Sequence, residues 1–232
     1  MRILAADTST QLMHLALVTE KGTSSLCRDD GMHHSENLLP SILDLLKEQE
    51  LKLKDLDLLA CTAGPGSFTG LRIAMSAMKG ISSATSIPLV SVSTMDLLAS
   101  FTTFFSGITV TAIDARKKRF YIALYRGDKR LTRDMDCHES EVVQLLGDKE
   151  PVLITGPDSQ IFQQKLIGAG VEANRLSLDD TPKDIGVQLA HLAERQFKEK
   201  GADETGTGPV YVRKSDAEIA LEKKLQQLRA EG

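Results

Sequence analysis

Apolar residues along this chain follow two spacings, which together predict an α/β fold. Short apolar or alternating runs indicate strands, and segments whose apolar residues recur every three or four positions indicate amphipathic helices. The predicted strands are 3–6, 12–18, 24–28, 58–63, 89–92, 110–113, 122–124 and 152–154. The predicted helices are 35–50, 71–84, 93–104, 159–166, 184–200 and a charged helix at 215–229. Strands and helices therefore intermix throughout the chain.

The second half of the chain repeats the order of the first. When Asp114 is set against Asp7, the apolar strands before the two aspartates coincide, and seven residues separate each aspartate from a second shared apolar segment. Each half then reaches a strand and a Gly-Pro turn, at Gly64-Pro65 and at Gly156-Pro157. Two similarities in the same order favour duplication over a chance match. The sequence predicts two tandem lobes, residues 1–106 and 107–232, each a mixed sheet with flanking helices.

A glycine-rich loop, residues 64–70, joins the strand at 58–63 to the following helix. Ser67 or Thr69 is suited to cap that helix, and free N–H groups at its start would attract an anion. The loop lacks the Lys-Ser/Thr pair of a P-loop and the glycine spacing of a dinucleotide-binding loop. A tight turn that permits close packing is the alternative. Small residues such as Ser76 and Gly80 leave part of the helix smooth enough for close approach by another element or subunit.

Composition narrows the functional classes. The 232 residues are 41% hydrophobic and carry a net charge of −4, which does not favour nucleic-acid binding by bulk electrostatics. No apolar run is long enough to span a membrane. Three widely spaced cysteines suit reduced thiols better than disulfides or a zinc site. Asp7 interrupts the apolar start where a signal peptide needs its core, so a cytoplasmic protein is expected.

Two lobes that each open with a hairpin holding an acidic residue describe the fold shared by sugar kinases, actin and heat-shock chaperones. In that fold the hairpins hold the phosphates and metal of ATP between the lobes. Four segments, in order along nearly the whole chain, also resemble the TsaB family of bacterial tRNA threonylcarbamoyladenosine biosynthesis proteins. They are residues 3–9, 64–72, 113–116 and 209–213, of which the second is the most specific.

The resemblance implies a role in transferring a threonylcarbamoyl group to the adenosine beside the anticodon of tRNAs that read ANN codons. It also implies that the catalytic subunit is a paralogue, TsaD, whose metal is bound by two histidines. The matching segment here, 93–99, contains no histidine, and the Gly-Gly motif that holds adenosine is missing. We therefore expect a non-catalytic chain with no metal ligands or cofactor of its own, ATP and metal being held by partner subunits. The vestigial phosphate loop would comprise Asp7, Thr8, Ser9 and Asp114.

The resemblance further implies that the chain binds TsaD side by side through the first two helices of the first lobe. The same surface would form a homodimer when the chain is alone, the ATPase TsaE would bind across the junction, and tRNA would be reached only through the complex. The matching residues here are His34, Leu38, Leu39, Ile42 and Leu45 on the first helix and Arg72, Met75, Ser76 and Lys79 on the second.

Two alternative functions remain open on the residues. A small-molecule kinase or ATPase of the same fold would bind ATP between the hairpins and depend on Asp7. A tRNA-binding module would use the basic run Arg116, Lys117, Lys118 and Arg119, although such a run in a turn is also typical of a solvated surface. Adjacent His33 and His34 point apart on a helix or strand and do not indicate a metal pair.

Overall fold

The computed structural model describes residues 1–29, 31, 33–147, 149–179 and 183–213. It contains two mixed β-sheets with helices packed against them, so the predicted α/β fold with two tandem lobes is confirmed. The helix predicted at 215–229 lies outside the described residues. No helix within the described ranges is both long and apolar enough to cross a membrane.

The first sheet has five strands in the order β3-β2-β1-β4-β5. The strands are β1 (Ile3–Asp7), β2 (Met13–Thr19), β3 (Gly22–Arg28), β4 (Leu58–Gly64) and β5 (Leu89–Ser93). The first three pair antiparallel, whereas β4 pairs parallel with β1 and β5 parallel with β4. Because β1 and β4 lie at the centre of the sheet and are covered on both faces, every residue of both strands is buried.

The second sheet repeats this plan. Its strands are β6 (Ile108–Asp114), β7 (Phe120–Arg126), β8 (Lys129–Arg130), β9 (Met135–Cys137), β10 (Val152–Thr155) and β11 (Leu176–Leu178). As in the first sheet, an opening hairpin, β6–β7, is antiparallel, and the strand that follows the next helix, β10, pairs parallel with the first strand of the hairpin. Strand β11 then extends the sheet parallel to β10, as β5 extends the first.

Six helices cover the sheets within the described residues. They are α1 (His34–Glu48), α2 (Phe68–Thr85), α3 (Thr94–Ala99), α4 (Glu139–Leu145), α5 (Ser159–Gly168) and α6 (Ile185–Lys200). Helices α1 and α2 bury one face of the first sheet, and α4 and α5 bury one face of the second. Helices α3 and α6 lie in a core that also includes side chains of both sheets, so this core joins the two lobes.

The last helix crosses the predicted division of the chain. The proposed boundary after residue 106 falls in the loop before β6, but α6 packs on β1, β2, β4 and β5 of the first sheet. Gly186 permits this contact, because a Cβ atom there would lie 2.8 Å from the backbone of Leu15. Residues 185–200 therefore belong structurally with the first lobe rather than with 107–232.

Helix α3 is shorter than the predicted helix at 93–104. Ser93 caps it by accepting a hydrogen bond from the N–H of Asp96. The α-helix ends at Ala99 and continues only as a single 3₁₀ turn, Ser100–Thr102. The hydroxyls of Ser100 and Thr102 bond back to the carbonyls three residues earlier, which favours the tighter turn.

Candidate functional site

The turn after β1 and the glycine-rich loop pack directly on each other. Ser67 caps α2 by accepting the N–H of Gly70 at 3.2 Å, and its own N–H donates to the carbonyl of Ser9 at 2.7 Å. The hydroxyl of Thr8 donates to the carbonyl of Gly70 at 2.7 Å. Both of these loop N–H groups therefore bond within the protein instead of facing an external anion.

Close packing accounts for two of the glycines in this loop. A Cβ atom at Gly66 would lie 2.4 Å from the carbonyl oxygen of Ser9, and one at Gly70 would lie 1.8 Å from that of Thr8. Both distances are far below van der Waals contact. The geometry thus matches the tight-turn interpretation of the loop.

The two predicted hairpin aspartates have different surroundings. Asp7 is buried, and its Oδ1 accepts the N–H of Ser9 at 2.9 Å and the hydroxyl of Thr62 at 2.6 Å. Asp114 is half-buried; its N–H donates to Asp158 Oδ2 at 2.7 Å. Burial raises the pKa of the Asp158 carboxyl.

A cleft between the lobes forms a cavity of about 230 Å³. Its walls come from the β1–β2 hairpin, the start of α3, the Gly-Pro turn after β10 and the approach to α6. The lining residues are Asp7, Ser9, Thr10, Leu12, His14, Thr94, Leu97, Leu98, Gly156, Pro157, Lys183 and Ile185. Of the four residues of the expected phosphate loop, Asp7 and Ser9 line the cleft, whereas Thr8 and Asp114 do not.

The predicted partner surface on α1 and α2 divides into buried and exposed residues. His34, Leu38, Ile42, Leu45 and Met75 are buried in the core between these helices and the sheet. They cannot present their side chains to a partner, and the prediction is corrected for them. Their spacing of three to four residues matches the inward stripe of an amphipathic helix.

An exposed face on the same two helices is formed by their other residues. On α1, Leu39 and Leu43 are 50% and 57% exposed and lie one turn apart. On α2, Arg72 and Ser76 are exposed and line a shallow groove of about 450 Å³ with Phe68, Thr69 and Ile73. We call Leu39, Leu43, Arg72, Ile73 and Ser76 the outer face. Lys79 is half-buried, and its ammonium group donates to the carbonyl of Thr205 at 3.1 Å.

The C-terminal segment, residues 201–213, runs along the first lobe to the second and borders the outer face. Asp203 accepts hydrogen bonds from the N–H and hydroxyl of Ser91. Val210 donates its N–H to the carbonyl of Ala63 at 2.7 Å. In the second lobe, Arg213 bonds to Asp136 at 2.6 and 2.7 Å. The segment therefore contacts both lobes.

Tyr211 in this segment extends the outer face. Its ring stacks on that of Phe68 with centroids 4.6 Å apart, and its hydroxyl accepts a hydrogen bond from Arg72 at 2.8 Å. The Arg72 guanidinium also lies 3.9 Å from the centroid of the Phe68 ring. Sequence reasoning did not include Tyr211 in the partner surface, although the segment 209–213 carried part of the family resemblance.

Comparison with known proteins identifies the family of this chain. The model of the family TsaD: tRNA N6-adenosine threonylcarbamoyltransferase matches residues 28–221, which is most of the chain. Curated relatives and solved structures further match the TsaB/YeaZ type. The chain belongs to the TsaD family and is of the TsaB/YeaZ type.

Individual relatives of this TsaB-type chain match over different lengths. The chain is 28% identical to the tRNA threonylcarbamoyladenosine biosynthesis protein TsaB of Bacillus subtilis, over 94% of this chain and 96% of that protein. It is 34% identical to TsaB of Escherichia coli, over 56% of this chain and 57% of the relative. A crystal structure from Pseudomonas aeruginosa, described as an uncharacterized protein with similarity to peptidase YEAZ, superposes with a TM-score of 0.75 at 26% identity. That match covers 91% of this chain and 99% of the other.

Two further features of this TsaB-type chain bear on its chemistry. In α3, Thr94, Met95, Leu97, Leu98 and Ala99 are all buried. Their side chains are apolar except for the hydroxyl of Thr94. Within the described ranges, no group of three or more His, Cys, Asp or Glu side chains is arranged to hold a metal ion.

The basic run lies in the turn between β6 and β7. Arg116, Lys117 and Lys118 are exposed and all have φ angles near +60°. Arg119 instead turns inward and bonds to Asp136 at 2.9 Å. Three of the four predicted cations are therefore at the surface.

Proposed function

We propose that this chain is a non-catalytic scaffold subunit in tRNA threonylcarbamoyladenosine biosynthesis. Its outer face binds the catalytic TsaD-type subunit, the TsaE-type ATPase joins across that junction, and the same face forms a homodimer when the chain is alone. Transfer of the threonylcarbamoyl group takes place on the partner. The similarity to the tRNA threonylcarbamoyladenosine biosynthesis proteins TsaB of Bacillus subtilis and Escherichia coli supports the pathway.

The observation that carries the proposal is the outer face itself. Leu39 and Leu43 place two large apolar side chains one turn apart on the surface of α1, and the neighbouring helix α2 carries an exposed groove. Single scattered apolar residues would need no explanation, but these features lie on two helices that contact each other. Gly80, one turn further along α2, has no atom within 4 Å of an added Cβ. Small side chains there allow a partner helix to approach closely, and Arg72 with Tyr211 supplies the aromatic and arginine character common at interface centres.

Two observations support the absence of catalysis on this chain. The α3 helix buries apolar side chains at the place where the resemblance requires metal-binding histidines. The glycine loop hydrogen-bonds to the turn between β1 and β2. The charged side chains that line the cleft include Asp7 and Lys183, and the ammonium group of Lys183 bonds to Asp179 at 2.9 Å. An arrangement of this kind gives little electrostatic attraction to a triphosphate.

The proposal is tested by reconstituting tRNA modification with TsaD, TsaE, tRNA and threonylcarbamoyl-adenylate. Ser76→Glu and Leu43→Glu place a charge on the outer face, and we expect each to reduce modification at least tenfold. Ile161→Glu is the matched control, because Ile161 is 55% exposed on α5 of the other lobe. Full activity of both outer-face variants, or equal loss from Ile161→Glu, contradicts the proposal.

The alternative kinase function is separated by calorimetry of the isolated chain with ATP and magnesium. The scaffold proposal predicts no saturable heat of binding at millimolar nucleotide. Micromolar binding that is lost in Asp7→Ala supports the kinase instead.

A further inference from the structure

Three polar residues that line the cleft between the lobes have unused hydrogen-bonding capacity. Asp7 Oδ1 accepts two hydrogen bonds, but Oδ2 accepts none from any described residue. The hydroxyls of Ser9 and Thr94 are buried and also have no hydrogen-bond partner in the described part of the chain. Buried polar groups are nearly always paired in folded proteins, so such a concentration beside a cavity indicates an absent ligand or ordered water.

The charge of the cleft disfavours anionic ligands. Asp7 supplies a negative charge, and the ammonium of Lys183 is already paired with Asp179 at 2.9 Å. Burial lowers the pKa of His14, which keeps its imidazole neutral at physiological pH. The net charge of these groups is negative, so the cleft disfavours phosphate and favours a cation that donates hydrogen bonds to Asp7.

Size and shape define the ligand further. The cavity, at about 230 Å³, is smaller than the roughly 300–1,000 Å³ of sites that enclose drug-sized molecules. Its lining also contains the aliphatic side chains of Leu97, Leu98 and Ile185. A suitable ligand is therefore compact, with hydrogen-bond donors at one end and a short hydrocarbon group at the other.

We propose that the interlobe cleft binds a compact primary ammonium ion carrying a short aliphatic group, with the ammonium on Asp7 and the aliphatic group against α3 and α6. Binding there is independent of the outer face and of any partner subunit. The ancestral nucleotide cleft would thus retain a ligand site of opposite charge preference.

The proposal is tested by NMR titration of the full chain with isobutylamine, isobutanol and isobutyrate at equal ionic strength. These probes share one branched four-carbon skeleton and differ in the polar group and its charge. We expect saturable shifts of the Ser9, Thr94 and Gly156 amides with isobutylamine, at least tenfold weaker binding of isobutanol, and no saturable shifts with isobutyrate. Equal responses to amine and carboxylate, no saturation with the amine, or displacement of the amine by equimolar Mg-ATP overturns the proposal.

Variants locate the bound ammonium. Asp7→Asn keeps an Oδ1 acceptor for Ser9 and Thr62 but replaces Oδ2 with a donor, so we expect at least tenfold weaker amine binding. Asp128→Asn, at an exposed turn, is the charge-matched control and should bind as the wild type does. Thr94→Val removes one cleft hydroxyl at nearly constant volume and should weaken binding roughly threefold to tenfold. Unchanged binding by both cleft variants overturns the proposal, and the wild-type comparison of probes remains decisive if Asp7→Asn does not fold.

Discussion

Neighbouring residues of α2 should respond oppositely to the same substitution. Met75 is 3% exposed, and its sulfur lies 3.7 Å from that of Cys61 in the core beneath the helix. Ser76, the next residue, is exposed on the outer face. We predict that Met75→Glu unfolds or severely destabilises the chain, whereas Ser76→Glu leaves its stability unchanged and abolishes partner binding.

The expected magnitudes follow from burial. Met75→Glu loses about 1.5–3 kcal/mol of apolar burial, and placing a carboxylate in the core adds several kcal/mol more. The sum, about 4–6 kcal/mol, approaches the roughly 5–15 kcal/mol that holds a typical protein folded. Ser76→Glu changes only a surface side chain, so its effect on the free energy of unfolding is about 0.5 kcal/mol or less.

Urea unfolding followed by circular dichroism measures the stability of both variants. Calorimetric titration with the TsaD-type subunit then measures binding by Ser76→Glu and by the wild type. A Met75→Glu variant with wild-type stability would refute the assignment of Met75 to the core. Wild-type affinity of Ser76→Glu would refute the assignment of the outer face.

Three further predictions concern packing, pH and thiol reactivity. Gly70→Ala should lower the free energy of unfolding in urea by about 1–3 kcal/mol or more, because its Cβ would lie 1.8 Å from a carbonyl oxygen. Gly80→Ala, whose Cβ would have no atom within 4 Å, should raise that free energy by about 0.5–1 kcal/mol. Equal stabilities of the two variants contradict this prediction. Burial would raise the pKa of Asp136, but hydrogen bonds from two arginines outweigh it and hold that pKa below its usual range. The carboxylate therefore stabilises the fold at pH values above its unfolded pKa of about 3.9. The difference in free energy of unfolding between wild type and Asp136→Asn should decrease as the pH falls below that value. A difference that does not change with pH contradicts the assignment. Iodoacetamide at pH 8 should label the exposed Cys27 in the native chain. Cys61 is buried, and burial raises the pKa of its thiol, so it should be labelled only after unfolding. Mass spectrometry that finds Cys61 labelled before Cys27 contradicts the burial.

Much of the fold was predictable because local patterns coincide with tertiary burial. Strand β4 is a continuous apolar run, and the structure buries all of its residues between two layers of helices. The repeated order of hairpin, strand and Gly-Pro turn predicted two related lobes, and the two sheets share that topology. Ser67 or Thr69 was predicted to cap α2 from residue type and position alone, and Ser67 does so.

The outer face was harder to predict, since α1 is apolar on more than one side. Leu38, Ile42 and Leu45 form one stripe, and Leu39 with Leu43 forms another, one residue further along. Spacing identifies both stripes but does not say which of them faces the sheet. The prediction merged them and so assigned core residues to a partner surface.

Long-range packing was the second gap. The pattern of α6 showed an amphipathic helix but not the sheet on which it packs, and the helix crosses back to the first lobe. The stack of Tyr211 on Phe68 joins residues that are far apart in sequence. Only the folded chain brings that segment beside α2.

Photocrosslinking tests the central claim most directly. A benzophenone amino acid at position 76 or 43 of the outer face should crosslink to the TsaD-type subunit in the assembled complex, and the same group at position 161 of the second lobe should not. Efficient crosslinking from position 161 with none from 76 and 43 would contradict the claim that this chain works through the outer face of α1 and α2.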